Sequence, residues 1–206
     1  MESKWQHPFS AIVAGPSGSG KSYFVVKFLE NLDSMCNVKF ANIYWHYSEW
    51  LPNTHSGLNI TFKEGLPDVS EIDTSRPNLV IIDDLMREAD GRVVDLFTRG
   101  CHHRNLSVFF ITQNIFHQGK GQRDISLNAH YVVLFKNPRD KAQIRHLAQQ
   151  VYPENTKFLQ DAYKDSTSQA HGYLLLDLKQ GTPEEYRVRT NILPGDGYTT
   201  VYVPKV

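Results

Sequence analysis

Gly15-Pro-Ser-Gly-Ser-Gly-Lys-Ser22 decides the fold. It fits the pattern G-x-x-x-x-G-K-[ST] at every fixed position. The flanks fit too. The apolar run Phe9–Ala14 precedes it, and a helix-period face of Phe24, Val25, Phe28, Leu29 and Leu32 follows it. A strand, a glycine-rich turn and a helix in that order build a phosphate-cradling loop. Glycine lets backbone N–H groups converge on phosphate oxygens, and the helix N-terminus adds its positive dipole end. Gly15, Pro16, Ser17, Gly18, Ser19, Gly20, Lys21 and Ser22 are therefore candidate nucleotide-binding residues. Lys21 is suited to reach the β- and γ-phosphates, and Ser22 to coordinate Mg²⁺.

Two more apolar runs end in chemistry-bearing residues. Asn78-Leu-Val-Ile-Ile82 leads into Asp83-Asp84, and Leu106–Thr112 leads into Gln113. Continuous apolar runs of this length are what strands buried on both faces require, as in a parallel sheet covered by helices. Asp83 is the candidate Mg²⁺ carboxylate. Asp84 is the candidate base for water, one methylene shorter than Glu, with Glu88 about one helical turn on as the alternative. Gln113 is the candidate sensor of the γ-phosphate or the attacking water, with Asn114 beside it.

The remaining pattern alternates strands and helices. Asn42–Tyr47 and Tyr131–Phe135 read as strands. Arg92–Gly100, Arg139–Gln150 and Thr156–Lys164 read as helices. Gly172–Asp177 and Tyr186–Asn191 flank Gly181-Thr-Pro183 and read as a terminal β-hairpin. The sum is an α/β fold with a mostly parallel sheet, in one domain over residues 1–206.

Composition narrows the rest. The chain has 206 residues, 40% of them hydrophobic, enough for a substantial core. Its 22 basic and 22 acidic side chains cancel, which excludes a uniformly basic histone-like protein and an acidic disordered tail. The average hides a division. Residues 64–95 hold nine acids and three bases, while residues 116–150 hold six bases and two acids. Nucleic-acid binding would be confined to a local basic surface. Within residues 99–123 there is no acid, and the loop 116–123 follows Gln113 directly. Lys120 and Arg123 are the candidate DNA-backbone contacts, and Arg123 is equally a candidate arginine finger toward a neighbour's nucleotide. Arg99, Arg104 and Arg139 are weaker finger candidates. The two cysteines, Cys36 and Cys101, read as reduced thiols, and Cys101-His102-His103 has no zinc spacing. The first eight residues carry no apolar signal core, and no apolar run approaches a bilayer span, so a soluble intracellular protein is expected.

Together, Gly15–Ser22, Leu79-Val-Ile-Ile-Asp-Asp84 and above all Asn105-Leu-Ser-Val-Phe-Phe-Ile-Thr-Gln-Asn-Ile-Phe-His-Gln118 resemble a viral genome-packaging ATPase. The branch is the poxvirus-like one of the FtsK/HerA superfamily, also found in Polinton (Maverick) elements. Ile125–Asp140 resembles it as well, and the likeness runs over residues 9–193. The resemblance implies a RecA-like core, a homo-oligomeric ring, ATP and Mg²⁺ as ligands, and translocation of double-stranded DNA into a capsid through a capsid or portal partner. It implies phosphate and Mg²⁺ binding by Lys21 and Ser22, Mg²⁺ binding by Asp83, water activation by Asp84 and sensing by Gln113. The Asp83-Asp84 pair departs from the Asp-Glu pair of many relatives. A helicase-like or DNA-mobilising ATPase, a small-molecule kinase and a non-catalytic nucleotide switch are the competing expectations.

Overall fold

The computed structural model describes residues 4–48, 57–85, 91–97, 105–116 and 122–205. Among them, nine strands form one sheet in the order β3-β2-β4-β5-β1-β6-β7-β8-β9. These are β1 (Ser10–Ala14), β2 (Asn42–Tyr47), β3 (Thr61–Glu64), β4 (Asn78–Asp83), β5 (Leu106–Thr112), β6 (Tyr131–Phe135), β7 (Tyr173–Asp177), β8 (Val188–Thr190) and β9 (Thr200–Tyr202). From β3 to β6 every pairing is parallel, and β7, β8 and β9 then add in antiparallel fashion.

Among the described residues, six α-helices connect the strands: α1 (Lys21–Glu30), α2 (Leu32–Met35), α3 (Gly91–Asp95), α4 (Gln122–Leu127), α5 (Ala142–Val151) and α6 (Thr156–Ser166). The apolar runs are continuous because both sheet faces are covered. Ala11, Val13, Leu79, Ile81, Phe109, Ile111, Val133 and Leu175 pack with α1 and the N-terminal Trp5. Their alternates Ile12, Val80, Ile82, Val108, Phe110, Val132 and Leu174 pack with Val93, Ile125, Leu147 and Leu159 of α3 to α6. Side chains alternate across a strand, so one run supplies both cores.

The N-terminal stretch does more than its polar composition predicts. Trp5 is 1% exposed and stacks on Tyr131 with ring centroids 4.0 Å apart. The expected hairpin is present as β7 and β8, and β9 extends it to a third strand. Helix bounds shift by a few residues: α1 stops at Glu30 rather than Leu32, and α5 starts at Ala142 rather than Arg139. Asn137 takes the backbone N–H groups of Arg139 and Asp140 on its side-chain oxygen, holding that segment as a turn before the helix. Among the described residues no helix is long and apolar enough to cross a membrane.

Candidate nucleotide site

β1 ends at Ala14, and the chain turns at once. The Gly15 N–H donates to the Thr112 carbonyl at 3.1 Å, which pins the loop to the end of β5. A Cβ on Gly15 would lie 2.7 Å from both Phe135 Cβ and Ser19 Oγ, so only glycine fits there. Gly20 caps α1 with φ 107°, a left-handed conformation that side chains resist, and α1 begins at Lys21. Ser19 Oγ is buried and has no hydrogen-bond partner among the described residues. A hydroxyl left unpaired inside a glycine cradle at a helix N-terminus fits an anionic ligand. Lys21 Nζ donates to the Pro16 carbonyl at 3.0 Å, folded back over its own loop. Burial lowers its pKa, and the charges of Asp84 and Asp83 oppose that shift. The ammonium thus feels the charge of both carboxylates.

The strand order brings the acidic end beside the loop. β5 lies between β1 and β4, so Gln113 leaves the sheet between Lys21 and the Asp83-Asp84 pair. Gln113 Nε2 donates to Asp84 Oδ2 at 3.2 Å. The Asp84 N–H donates to the Ile111 carbonyl at 3.2 Å, which fixes the turn out of β4. Asp84 sits at φ 52°, in the left-handed region, where Asp is better tolerated than longer side chains.

Asp83 is 9% exposed, and burial raises its pKa to about 6. The indole Nε1 of Trp45, from β2, donates to its Oδ2 at 3.3 Å and opposes that rise, as does Lys21, while Asp84 adds to it. Trp45 was not found from sequence. It lies 38 positions away, and only the β2–β4 pairing brings the two together. His171 was missed for the same reason. Its Nδ1 lies 3.1 Å from the Ser19 carbonyl oxygen, against the outer side of the loop.

The candidate residues Gly15 to Ser22, Asp83, Asp84 and Gln113 thus converge at one end of the parallel strands. Asn114 does not join them. Its carbonyl accepts from Thr112 Oγ1 and its side-chain oxygen takes the Phe116 N–H, which makes it a turn residue. Arg123 is placed differently from expectation: it lies in the first turn of α4, not in a loop, and its side chain is outside the described residues. Lys120, Glu88, Arg99, Arg104 and Cys101-His102-His103 also lie outside them. Cys36 is a free buried thiol, its pKa pushed up to about 12 by burial. That fits an inert packing residue.

No family model and no curated protein sequence matches the chain. Solved structures do. The genome packaging NTPase B204 from Sulfolobus turreted icosahedral virus 2, in complex with ATP-gammaS, aligns with a TM-score of 0.57 at 13% identity, covering 96% of this chain and 98% of that one. The same NTPase with AMPPCP gives 0.56 at 12% identity over the same shares. The Legionella pneumophila ATPase DotB aligns only in part, with a TM-score of 0.38 at 12% identity over 79% of this chain and 53% of that one. The phosphate loop, the strand order and this alignment over nearly the whole of both chains show that the chain shares the α/β fold of the B204 NTPase.

Proposed function

We propose that the protein is an ATP-hydrolysing motor that moves double-stranded DNA, in the manner of a genome-packaging ATPase. The observation that carries the proposal is the position of β5 between β1 and β4, which sets Gln113 against Asp84 and both beside Lys21. Phosphoryl transfer needs positioning and charge stabilisation more than covalent chemistry, and this cluster supplies both. Lys21 leaves the Pro16 carbonyl to bind the β- and γ-phosphates. Ser22 and Asp83 are the residues that would hold Mg²⁺, which would supply neutralisation of charge on the phosphate oxygens. Asp84 accepts the proton of the attacking water, and Gln113, already bonded to Asp84, orients that water. The same hydrogen bond offers a way for the state of the phosphates to be felt at β5.

DNA as the partner is supported by the sequence resemblance, by the fold of B204 and by charge. The described bases of the basic segment, Lys136, Arg139, Lys141 and Arg145, are all exposed, and Lys136 directly follows the end of β6 on the phosphate-loop side of the sheet. Lys120 and Arg123 extend this basic stretch in sequence. A ring of copies, with a capsid or portal protein as its docking partner, completes the proposal.

The test is ATP turnover with and without duplex DNA, with product analysis. Stimulation by intact duplex, with ADP and phosphate as products, supports the motor. Stimulation only by forked DNA with strand separation points to a helicase, and a phosphorylated small molecule points to a kinase. Tight nucleotide binding with no turnover under any condition points to a switch.

A further inference from the structure

We propose that Gln143 is a positioning residue that ties the Gln113 turn to the basic turn ahead of α5, so that the nucleotide site and the DNA surface act on each other through one side-chain amide. The proposal rests on the proposed roles of Gln113 as sensor and of the bases between Lys136 and Arg145 as DNA contacts.

The link starts at the exit of β5. Thr112 Oγ1 donates to the Asn114 carbonyl at 3.1 Å, and Asn114 Oδ1 accepts the Phe116 N–H at 2.8 Å. Residues 112–116 thus form one tight turn, and Gln113 moves with it. The turn rests on α5. Ile115 is 1% exposed and shares a core with Ile144 and Leu147. The Phe116 ring meets His146 edge-on with centroids 6.0 Å apart. Beside these contacts, the Ile115 N–H donates to Gln143 Oε1 at 3.4 Å. That is the long end of the hydrogen-bond range, so a small shift of the turn makes or breaks it.

The other half of the amide serves the basic turn. Gln143 Nε2 donates to Asp140 Oδ2 at 3.1 Å, and Asp140 Oδ1 accepts the Ala142 N–H at 3.0 Å where α5 begins. Asp140 is the acid of a stretch that otherwise presents Lys136, Arg139 and Lys141, all exposed. The near end of this stretch is fixed separately. Tyr163 Oη, from α6, accepts the Asn137 N–H and donates to the Phe135 carbonyl, each at 2.9 Å. Phe135 in turn packs against Gly15. The basic turn therefore has a fixed end at the phosphate loop and an adjustable end at Gln143. An amide suits that position because it offers an acceptor to a backbone N–H and a donor to a carboxylate. An ionised Glu has no donor, and Leu has neither group.

Binding coupled through such a link is reciprocal: what the nucleotide does to DNA affinity, DNA does to nucleotide affinity. The experiment measures duplex DNA affinity by fluorescence anisotropy with Mg-ADP and with Mg-ATP-gammaS, beside ATP turnover with and without duplex and a thermal melt. In the wild type the two DNA affinities are expected to differ within the range of about 5–150-fold usual for coupled sites. Gln143→Leu is expected to bring their ratio to within about twofold of one and to abolish DNA stimulation, with DNA-free turnover unchanged. Its melting temperature is expected to stay within a few degrees of wild type. Asp140→Asn keeps an oxygen for the Ala142 N–H and loses the carboxylate that holds Gln143 Nε2. It is expected to act alike, and the double variant to be no worse than either, because both break one link. A wild-type affinity ratio retained in Gln143→Leu overturns the inference. So does a loss of DNA-free turnover in the folded variant, which would place Gln143 in the hydrolytic centre. A wild type whose turnover ignores duplex DNA overturns the motor itself, and the coupling with it.

Discussion

Asp84 is one methylene shorter than a glutamate in the same role would be, and its backbone supplies a reason. At φ 52° it turns the chain out of β4, a conformation that favours Asp or Asn over longer side chains. Gln113 Nε2 donates to the Asp84 carboxylate at 3.2 Å and holds it in place. Asp83 depends on a different partner. It is buried, and the Trp45 N–H is the neutral donor that favours its charged form. Trp45→Phe keeps the ring but removes that donor. The variant is expected to require several-fold more Mg²⁺ for half-maximal ATP turnover, with a melting temperature within a few degrees of wild type, read from a Mg²⁺ titration and a thermal melt. An unchanged Mg²⁺ requirement would show that the bond is incidental. Motif residues were legible because chemistry restricts them to few residue types at fixed spacing. Trp45 and His171 were not, since neither belongs to a local pattern and each meets its partner only across the folded sheet.

At the scale of elements, β1, β4, β5 and β6 could be read as strands because a strand buried on both faces leaves an uninterrupted apolar signature. β2, half-buried at four of its six positions, is marked by its aromatic and β-branched residues instead. β3 and β9 left no such mark. Each is a short edge strand of largely exposed or half-buried residues, so neither period nor apolarity marks it. The order of strands was also hidden, because β5 enters between β1 and β4 through pairings distant in sequence. The antiparallel end is held by a pair that a sequence does not announce. Arg189 Nη2 lies 2.7 Å from Asp177 Oδ2, and both side chains are 5% exposed. Removing one partner leaves a buried charge uncompensated, which costs about 3–5 kcal/mol. Arg189→Met is therefore expected to lower unfolding free energy by about that amount in denaturant titration, and Arg189→Met with Asp177→Leu to recover much of it. A loss under about 1 kcal/mol in the single variant would show that solvent relieves the Asp177 charge.

Across the whole molecule, the sheet divides the work between its parts. The parallel strands deliver the phosphate loop, the carboxylates and Gln113 to one end, and the antiparallel extension closes the far side of the loop with His171. Zero net charge conceals an acidic segment around Asp83 and Asp84 and a basic one after Gln113. Such a separation suits the proposed motor, which would hold a metal-bound triphosphate and a polyanion at different places. Lys21, Asp84 and Gln113 form the proposed hydrolytic centre. It is tested most directly by steady-state ATP turnover and equilibrium ATP binding measured side by side for wild type, Lys21→Ala and Asp84→Asn. Turnover is expected in the wild type, loss of tight binding and turnover in Lys21→Ala, and retained binding with turnover slowed by about 10²–10⁴ in Asp84→Asn. Full activity in Asp84→Asn, with Glu88→Gln inactive, would contradict it and move the base to Glu88.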